Sequence, residues 1–484
     1  MLTSLDFLKI GEAWPPKSET NRLEMYHKNH EIFEGEHAEV YAESFKRIER
    51  IVGNFQDIIS YPVILNFQKL MSLKMADLLM GEPPQYKSGD AGSAEQKSLD
   101  TIKENSDLNN TIYQDIIDVS RFGDGLLHIR KGTDGGIIDL TQPPIWFPVV
   151  DRDNVKEIVN HVLAWQYTEM DRDVERKYLK ARIHYKGYYL ETVYELVGGA
   201  IARLIESETR VNTGLSDFAI VQVSNVTTSD RITGLDDYTD VDSIISELMV
   251  RVGQVSRILD KHANPSMSGP ASSLERDPIS GEYKLKTGNY FPRDSKEDPD
   301  VAYITWDGQL AANFTQIEKL INLLYTISEM GSALFGDMSG TTGQVASGTA
   351  LKRLMISPLS KVNRIRMRLD PALKKALSLC SELGGKNIVK LERSEISITW
   401  QDGVPNDETE QALIIEKRTA GKATMSQKSA MMKYDGLSEE DADEELAVIQ
   451  DEEAGANPMT PAPFSGGTES TPPVIPEETN TEAT

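Results

Sequence analysis

The 484-residue sequence predicts an α+β protein that is mainly helical and has antiparallel β-structure between its helices. Three observations support this class. Two long amphipathic helices are predicted over residues 240–262 and 310–335, because apolar residues recur there every three or four positions. Between residues 126 and 204 the pattern changes to short aromatic and β-branched segments separated by turns. Residues 336–348 are rich in glycine and show neither period.

The composition limits the functional class. The formal net charge of −25 disfavours general affinity for nucleic acid, since phosphate contacts need Lys and Arg. It does not exclude a surface along which DNA slides without sticking. We expect no signal peptide, because the first residues lack a basic stretch and a sustained apolar core, and no apolar run approaches the roughly 18 residues of a membrane span. The one cysteine, Cys380, is expected to be a buried, inert thiol in a reducing compartment.

The N-terminal elements are assigned from apolar spacing and turn signals. Helices are predicted over residues 19–35 and 62–80, and the second ends at the breaker that begins with Gly81. Residues 94–122 are predicted to form one further helix. The antiparallel meander follows and is expected to pack on these helices.

The second half of the sequence alternates helices with irregular segments. A compact insertion with two strand-like pieces, residues 266–309, separates the two long helices. After the glycine-rich segment, Pro358 should kink a basic helix and Pro371 should restart it. A strand is predicted over residues 388–400 and short helices over residues 407–453.

Two sequence patterns resemble known functional motifs, a nucleotide-binding P-loop and a histidine metal site, but neither has the residues or spacing that its motif requires. Residues 343–348 have the glycine spacing of a P-loop, but Thr349 follows where the phosphate-binding lysine must stand. Three clustered histidines are not spaced to share one helical face, which disfavours a metal site: His27, His30 and His37. We therefore predict no catalytic residue, no metal and no cofactor.

The helix after the glycine-rich segment is conspicuously basic. Six cations precede its first acidic residue: Lys352, Arg353, Lys361, Arg364, Arg366 and Arg368. In an acidic chain we expect them to form ion pairs within or between subunits. Contact between some of the arginines and DNA phosphates is the alternative.

Six segments together point to a family. They are Leu78-Leu-Met-Gly-Glu-Pro-Pro84, Phe122-Gly-Asp-Gly125, Pro148-Val-Val-Asp151, Gly234-Leu-Asp-Asp-Tyr238, Ser347-Gly-Thr-Ala-Leu-Lys352 and the acidic helical region 426–453. Their order and spacing resemble the portal proteins of tailed bacteriophages, specifically long non-contractile-tailed phages that infect Gram-positive bacteria. The resemblance spans nearly the whole chain, although the insertion matches in position more than in residues.

The resemblance implies the portal fold, in which subunits form a ring around a central channel. Such subunits are mainly helical, with antiparallel β-structure in a wing and a clip and with long stem helices around the channel. The implied regions are the wing 1–239, stem helices 240–265 and 310–335, clip 266–309, tunnel loop 336–348, long kinked basic helix 349–384, wing strand 385–402, crown helices 403–455 and disordered tail 456–484.

Three sets of functional residues follow. The tunnel loop would project into the channel with Ser339, Gly340, Thr341, Thr342, Gly343, Gln344, Val345, Ala346, Ser347 and Gly348. The stem stripes would join neighbouring subunits through Ile244, Leu248, Val252, Val255, Leu259, Phe314, Ile317, Ile321 and Leu324. The clip would present a partner surface of Tyr283, Lys284, Lys286, Tyr290, Phe291 and Arg293.

The implied function is a viral portal rather than an enzyme. It is a dodecameric ring in the virion, at one capsid vertex, through which double-stranded DNA is packaged and later ejected. Its implied partners are its own copies, the terminase, the major capsid and scaffolding proteins, a head-completion or adaptor protein, and DNA without sequence preference, but no membrane. Assembly is expected in the host cytoplasm. The alternatives are an ATP-hydrolysing packaging-motor subunit, disfavoured by the missing P-loop lysine, and a scaffold or adaptor without a channel.

The Pro/Thr/Glu-rich tail should be dispensable, since it lacks the apolar side chains needed to fold. Deleting the residues after Gly455 should leave the melting temperature and the oligomeric state unchanged, because no periodic apolar face is lost. Scanning calorimetry and analytical ultracentrifugation of the truncated protein would check this. A lower melting temperature or a smaller assembly would contradict it.

Overall fold

The computed structural model describes residues 1–46, 63–171, 174–263, 310–336, 353–386, 388–401, 408–421, 423–435, 437 and 439–456, with six short pieces between 267 and 303. The chain divides into two compact units, Met1–Asn406 and Asp407–Thr484. The segments predicted as tunnel loop and tail lie almost entirely outside the described residues. None of the described helices combines the length and hydropathy needed to cross a bilayer.

The N-terminal helices largely follow the sequence pattern. They are α1 (Thr20–Glu34), α2 (His37–Val40), α3 (Phe67–Met80), α4 (Ala94–Asn105) and α5 (Leu108–Phe122). The prediction of one helix over residues 94–122 is wrong, because the chain breaks between α4 and α5. Asp107 adopts a left-handed conformation there, with φ of +42°, and this turns the backbone. Ser93 caps α4 by accepting a hydrogen bond from the Gln96 amide.

Two antiparallel sheets follow these helices. Their strands are β2 (Asp124–Lys131), β3 (Gly136–Leu140), β4 (Trp146–Val150), β5 (Ile158–Asp171), β6 (Val174–Tyr185), β7 (Tyr188–Val197), β8 (Ala200–Asn212) and β9 (Ile220–Ser224). Strands β4 to β8 pair in sequence order as an antiparallel meander. The predicted meander begins at residue 126, but that segment forms β2, which pairs with β3 and β9 in a separate sheet. The sequence did not predict β8, whose side chains are almost all exposed and therefore lack the alternation of a half-buried strand.

The later elements of the first unit begin with two helices that flank the insertion. They are α6 (Asp242–Ala263), α7 (Leu310–Ile327), α8 (Gly331–Leu334) and α9 (Ile356–Glu382). The helix predicted to reach residue 335 instead ends at Ile327. Helix α9 runs without a break through Pro371, so the predicted restart is wrong. Pro358 lies in the first turn of α9, where its missing N–H costs no helical hydrogen bond.

Short strands complete the first unit. Strand β10 (Met267–Ser268) pairs with β13 (Ala302–Tyr303), and β11 (Leu274–Arg276) pairs with β12 (Tyr283–Leu285). Strand β1 (Gln85–Ser88) pairs with β14 (Ile396–Thr399), which is shorter than the predicted strand over 388–400. The second unit contains α10 (Glu408–Thr419), α11 (Gln427–Ala430) and α12 (Glu439–Ala456).

The main hydrophobic core joins α3, α4, α5, β2, β3 and α9. Cys380 on α9 is fully buried in this core, as predicted, and burial raises the pKa of its thiol to about 12. Gly136 on β3 is required at this contact, because a Cβ there would lie 2.2 Å from the Cys380 carbonyl oxygen. A second core lies between the meander and the N-terminal residues, including Leu2, Phe7 and Trp14.

Two buried histidines and one partly buried histidine lie near the contact between the two sheets. They are His128 on β2, His161 on β5 and His184 on β6. The rings of His128 and His184 are 5.8 Å apart, and Trp146 Nε1 donates to His161 Nδ1 at 3.0 Å. Burial lowers the pKa of His128 to about 4, of His161 to about 3 and of His184 to about 2.

These lowered pKa values predict a loss of stability in acid. Below about pH 6.5 the unfolded chain binds protons that the folded chain excludes, so each histidine lowers the free energy of unfolding by up to about 1.4 kcal/mol per pH unit. This loss begins near pH 6.5 and ends at the folded-state values, between about 4 and 2. Urea titrations at several pH values between about 7.5 and 5 give the free energy of unfolding as a function of pH. This free energy should fall less steeply with decreasing pH for His184→Leu than for the wild type. His27→Leu, at an exposed position, is the control, and equal slopes for His184→Leu and the wild type would contradict the prediction.

Candidate functional site

The paired helices α6 and α7 carry the residues predicted to join subunits, and the structure divides these residues by exposure. Leu248 and Leu324 are 1% exposed, so both are buried within a single chain. The partly or fully buried remainder comprises Ile244, Val252, Val255, Ile317 and Ile321. Leu259 is 50% and Phe314 48% exposed. Of the predicted stripes, these last two therefore offer the largest open surface.

Two further apolar side chains on α7 are open to solvent. Leu323 is 50% and Ile327 45% exposed. Sequence reasoning missed both, because they lie roughly a third of a turn from the predicted stripe. Exposed large apolar residues at successive turns would have been the signal to look for. With Leu259 and Phe314 they make up what we call the open apolar surface of α6 and α7. It lies on two sides of α7, because Phe314 and Leu323 are nine residues apart and therefore half a turn out of phase.

The first turn of α6 is anchored to the N-terminal helices by Asp242. This carboxylate forms an ion pair with Lys28 and accepts hydrogen bonds from Tyr41 Oη at 3.0 Å and Gln68 Nε2 at 3.2 Å. Gln68 Nε2 also lies 2.8 Å from Tyr41 Oη. A carboxylate in the first turn is favoured by the helix dipole. The start of α6 is therefore fixed in direction relative to α1 and α3.

Two of the segments that carry the family resemblance meet just before α6. Gly123 has φ of +86°, and a Cβ on Gly234 would lie 1.8 Å from the Gly123 carbonyl oxygen. The Gly234 amide donates to Asp124 Oδ1 at 2.9 Å, and Tyr26 Oη donates to Asp124 Oδ2 at 3.0 Å. Burial raises the pKa of the Asp124 carboxyl, and these hydrogen bonds oppose that shift. Glycine is required at position 234 because the two backbones touch there.

A buried ion pair lies beside this contact. Lys361 Nζ on α9 is 2.9 Å from Asp237 Oδ1, and both side chains are 7% exposed. Asp237 also accepts from Ser120 Oγ at 2.8 Å and from Asn225 Nδ2 at 2.9 Å. Lys361 Nζ donates to the Ser328 carbonyl at 3.2 Å. The pair thus connects α5, the segment before α6, the end of α7 and α9.

The next turn of α9 fixes the same end of α7. Arg364 forms two hydrogen bonds with the carboxylate of Glu329, which is left-handed with φ of +60°. Arg366 donates to the Gln401 carbonyl, and Arg368 donates to the Arg364 carbonyl at 3.3 Å. The predicted ion pairs within the chain are therefore present for Lys361 and Arg364. Arg353 is exposed, and Lys352 lies outside the described residues.

Two predicted sets cannot be placed by side chain. The tunnel-loop residues 339–348 lie outside the described part of the chain, as do Lys286, Tyr290, Phe291 and Arg293 of the clip. The backbones of Tyr283 and Lys284 lie in β12, opposite Arg276 and Glu275 of β11. Both sets stay predictions.

Comparison with known proteins settles the family. The family model described as "Phage portal protein, SPP1 Gp6-like" matches residues 17–459. The chain belongs to this portal family. The resemblance noted from the six sequence segments is thereby confirmed, and the glycine contact and the Asp237 ion pair are features of a portal-family subunit. A search of curated proteins gives no match.

Several solved structures are similar to this portal-family chain at low identity. The neck of a native GTA particle, computed with C12 symmetry, is 12% identical with a TM-score of 0.41, covering 75% of this chain and 88% of that one. The neck of an empty GTA particle, computed with C6 symmetry, is 13% identical with a TM-score of 0.46, covering 75% and 89%. The virion of a native gene transfer agent (GTA) particle is 14% identical with a TM-score of 0.43, covering 77% and 90%.

The buried ion pair should dominate the stability of this junction. Lys361→Met should lower the free energy of unfolding by about 3 kcal/mol, because it leaves the Asp237 carboxylate buried without its cation. Adding Asp237→Asn should recover part of that loss. Arg364→Gln is the control and should cost under about 1 kcal/mol, since its pair is 40% exposed. Urea titrations of the three variants measure these values, and a double variant no more stable than Lys361→Met would argue against the pairing.

Proposed function

We propose that the chain is the subunit of a ring-shaped portal that conducts double-stranded DNA into and out of a viral particle. Membership of the portal family supports this function. The observation that carries the ring is the open apolar surface of α6 and α7, where Leu259, Phe314, Leu323 and Ile327 are each about half exposed. A cyclic assembly covers such a surface by packing one side of each subunit against a different side of its neighbour.

Charge supports a conduit rather than a DNA-binding protein. A dodecamer would carry twelve times −25, about −300 charges, which repels DNA from most of the surface. Lys361 and Arg364 are each paired with a carboxylate of their own chain, which weakens the attraction of α9 for phosphate. The tunnel loop, residues 336–348, would then contact passing DNA with small polar side chains and weak binding.

The remaining functional assignments belong to the same proposal. The protein is structural rather than enzymatic, assembles in the host cytoplasm and resides at one vertex of the virion. The clip surface docks the terminase during packaging and head-completion or adaptor proteins afterwards, while the capsid and scaffolding proteins surround the ring. The portal family supports this set, since these are the partners that a DNA conduit at a capsid vertex requires.

Ring formation should depend on the open apolar surface. Phe314→Asp should abolish rings yet leave the subunit folded, because the new charge would be buried only between subunits. Leu248→Asp should instead unfold the subunit, since Leu248 is 1% exposed within one chain. Ile10→Asp, at a 63% exposed apolar position outside α6 and α7, is the matched control. Negative-stain imaging and circular dichroism separate these outcomes, and normal rings from Phe314→Asp would exclude this surface.

The tunnel loop should govern DNA movement rather than assembly. Removing residues 339–343 should leave ring formation intact, because α6 and α7 are unchanged, but should lower the amount of DNA packaged. An in vitro packaging assay measures this, with the five residues replaced by an equally long Ser/Gly sequence as the control for length. If rings with the shortened loop packaged DNA at the full rate, the loop would serve only to connect the flanking helices.

A further inference from the structure

A basic groove on the Met1–Asn406 unit lies outside the surfaces described above. Its volume is about 560 Å³, and it lies between α9, the start of β5 and the turn before β9. Its walls carry five cations and two carboxylates: Lys156, Lys186, Arg368, Lys375, Arg393, Glu157 and Asp217. A net positive groove in a chain of charge −25 indicates a negatively charged partner.

Three of these cations lack a carboxylate partner within the described part of the chain. Asp217 is shared between Lys375, at 2.7 Å, and Lys186, at 4.0 Å. By contrast, Lys156 donates to the carbonyls of Thr228 and Arg231. Carbonyls likewise accept from the other two, with Arg368 donating to Arg364 at 3.3 Å and Arg393 to Pro371 at 3.1 Å. Backbone carbonyls orient these cations without neutralising them, although the Asp230 carboxylate interacts electrostatically with Lys156 from beyond ion-pair distance.

An apolar strip lies beside the cations. Met367 is 69% exposed on α9, and Pro371 is exposed one turn further along the same face. Ile158 from β5 contributes a partly exposed apolar side chain. A phosphodiester backbone gains nothing from such a strip, whereas the apolar face of a helix does. The combination therefore favours a protein partner over DNA.

We propose that this groove docks an acidic amphipathic helix of another protein chain. Carboxylates of that helix pair with Lys156, Arg368 and Arg393, and its apolar side chains cover Met367. This surface is distinct in its residues from the ring-forming surface and from the clip, so it serves a contact that neither of them supplies.

Fluorescence anisotropy with the full-length chain tests the proposal. The probe is a labelled synthetic helical peptide with Glu along one side and Leu at every fourth position. It should bind with an affinity that falls as salt rises from about 50 to 200 mM. The triple variant Lys156→Ala, Arg368→Ala, Arg393→Ala should weaken binding at least tenfold, and Met367→Ser several-fold. The control is a second triple variant, Lys17→Ala, Lys97→Ala, Lys131→Ala. It removes the same number of positive charges from exposed sites elsewhere and should leave the peptide affinity within twofold of the wild type.

Circular dichroism melts show whether each variant is folded, and Met367→Ser changes an exposed residue that the fold does not need. Absence of peptide binding, or equal weakening by the groove and control triple variants, overturns the proposal. The proposal is also overturned if a short DNA duplex binds the wild type as tightly as the peptide does and the groove triple variant no longer binds it. That result would assign the groove to nucleic acid. If Met367→Ser bound the peptide with unchanged affinity, Met367 would make no apolar contact with it, and the proposal of an amphipathic helix would be wrong.

Discussion

The buried pair of Lys361 and Asp237 is the constraint on which the rest of the first unit depends. Ser120, Asn225 and the Ser328 carbonyl satisfy its remaining hydrogen bonds, so the cost of burying two charges is offset only in this geometry. Because those three groups come from three separate parts of the chain, the pair fixes where α6 begins, where α7 ends and how α9 crosses them. The glycine contact beside it allows the backbones to approach closely enough for the pair to form. The ion pair and the glycine contact therefore determine the directions in which the long helices α6, α7 and α9 run.

Much of the fold could be predicted from residue spacing, and the failures have physical causes. The periods of α1 and α6 are clear because each helix buries one face, whereas β8 shows no period because its side chains are almost all exposed. The break at Asp107 was missed because apolar residues continue on both sides of it, with Ile102 and Ile112 in the same core. Proline propensity alone predicts that the helix restarts at Pro371. Leu369 and Leu373 are fully buried on either side of it, so tertiary packing outweighs the lost backbone hydrogen bond.

The candidate site was harder to predict than the fold. Spacing identifies an apolar stripe but not whether its partner is the same chain or a neighbour, which is why Leu248 was grouped with Phe314 although one is buried and the other half exposed. The basic character of α9 was visible in the sequence. Its pairing with Asp237 and Glu329 was not, since those carboxylates lie in distant segments. Family resemblance was more informative, because its motifs contain the glycines that meet in space.

The burial of Cys380 has a practical consequence for spectroscopy. It is the only thiol in the chain, it lies fully inside the core, and burial raises its pKa to about 12, so little reactive thiolate forms at neutral pH. A cysteine introduced on the surface would therefore be the one site that maleimide dyes or spin labels reach. Distances between labels could then be measured in the native sequence background, without first removing a residue that the core needs.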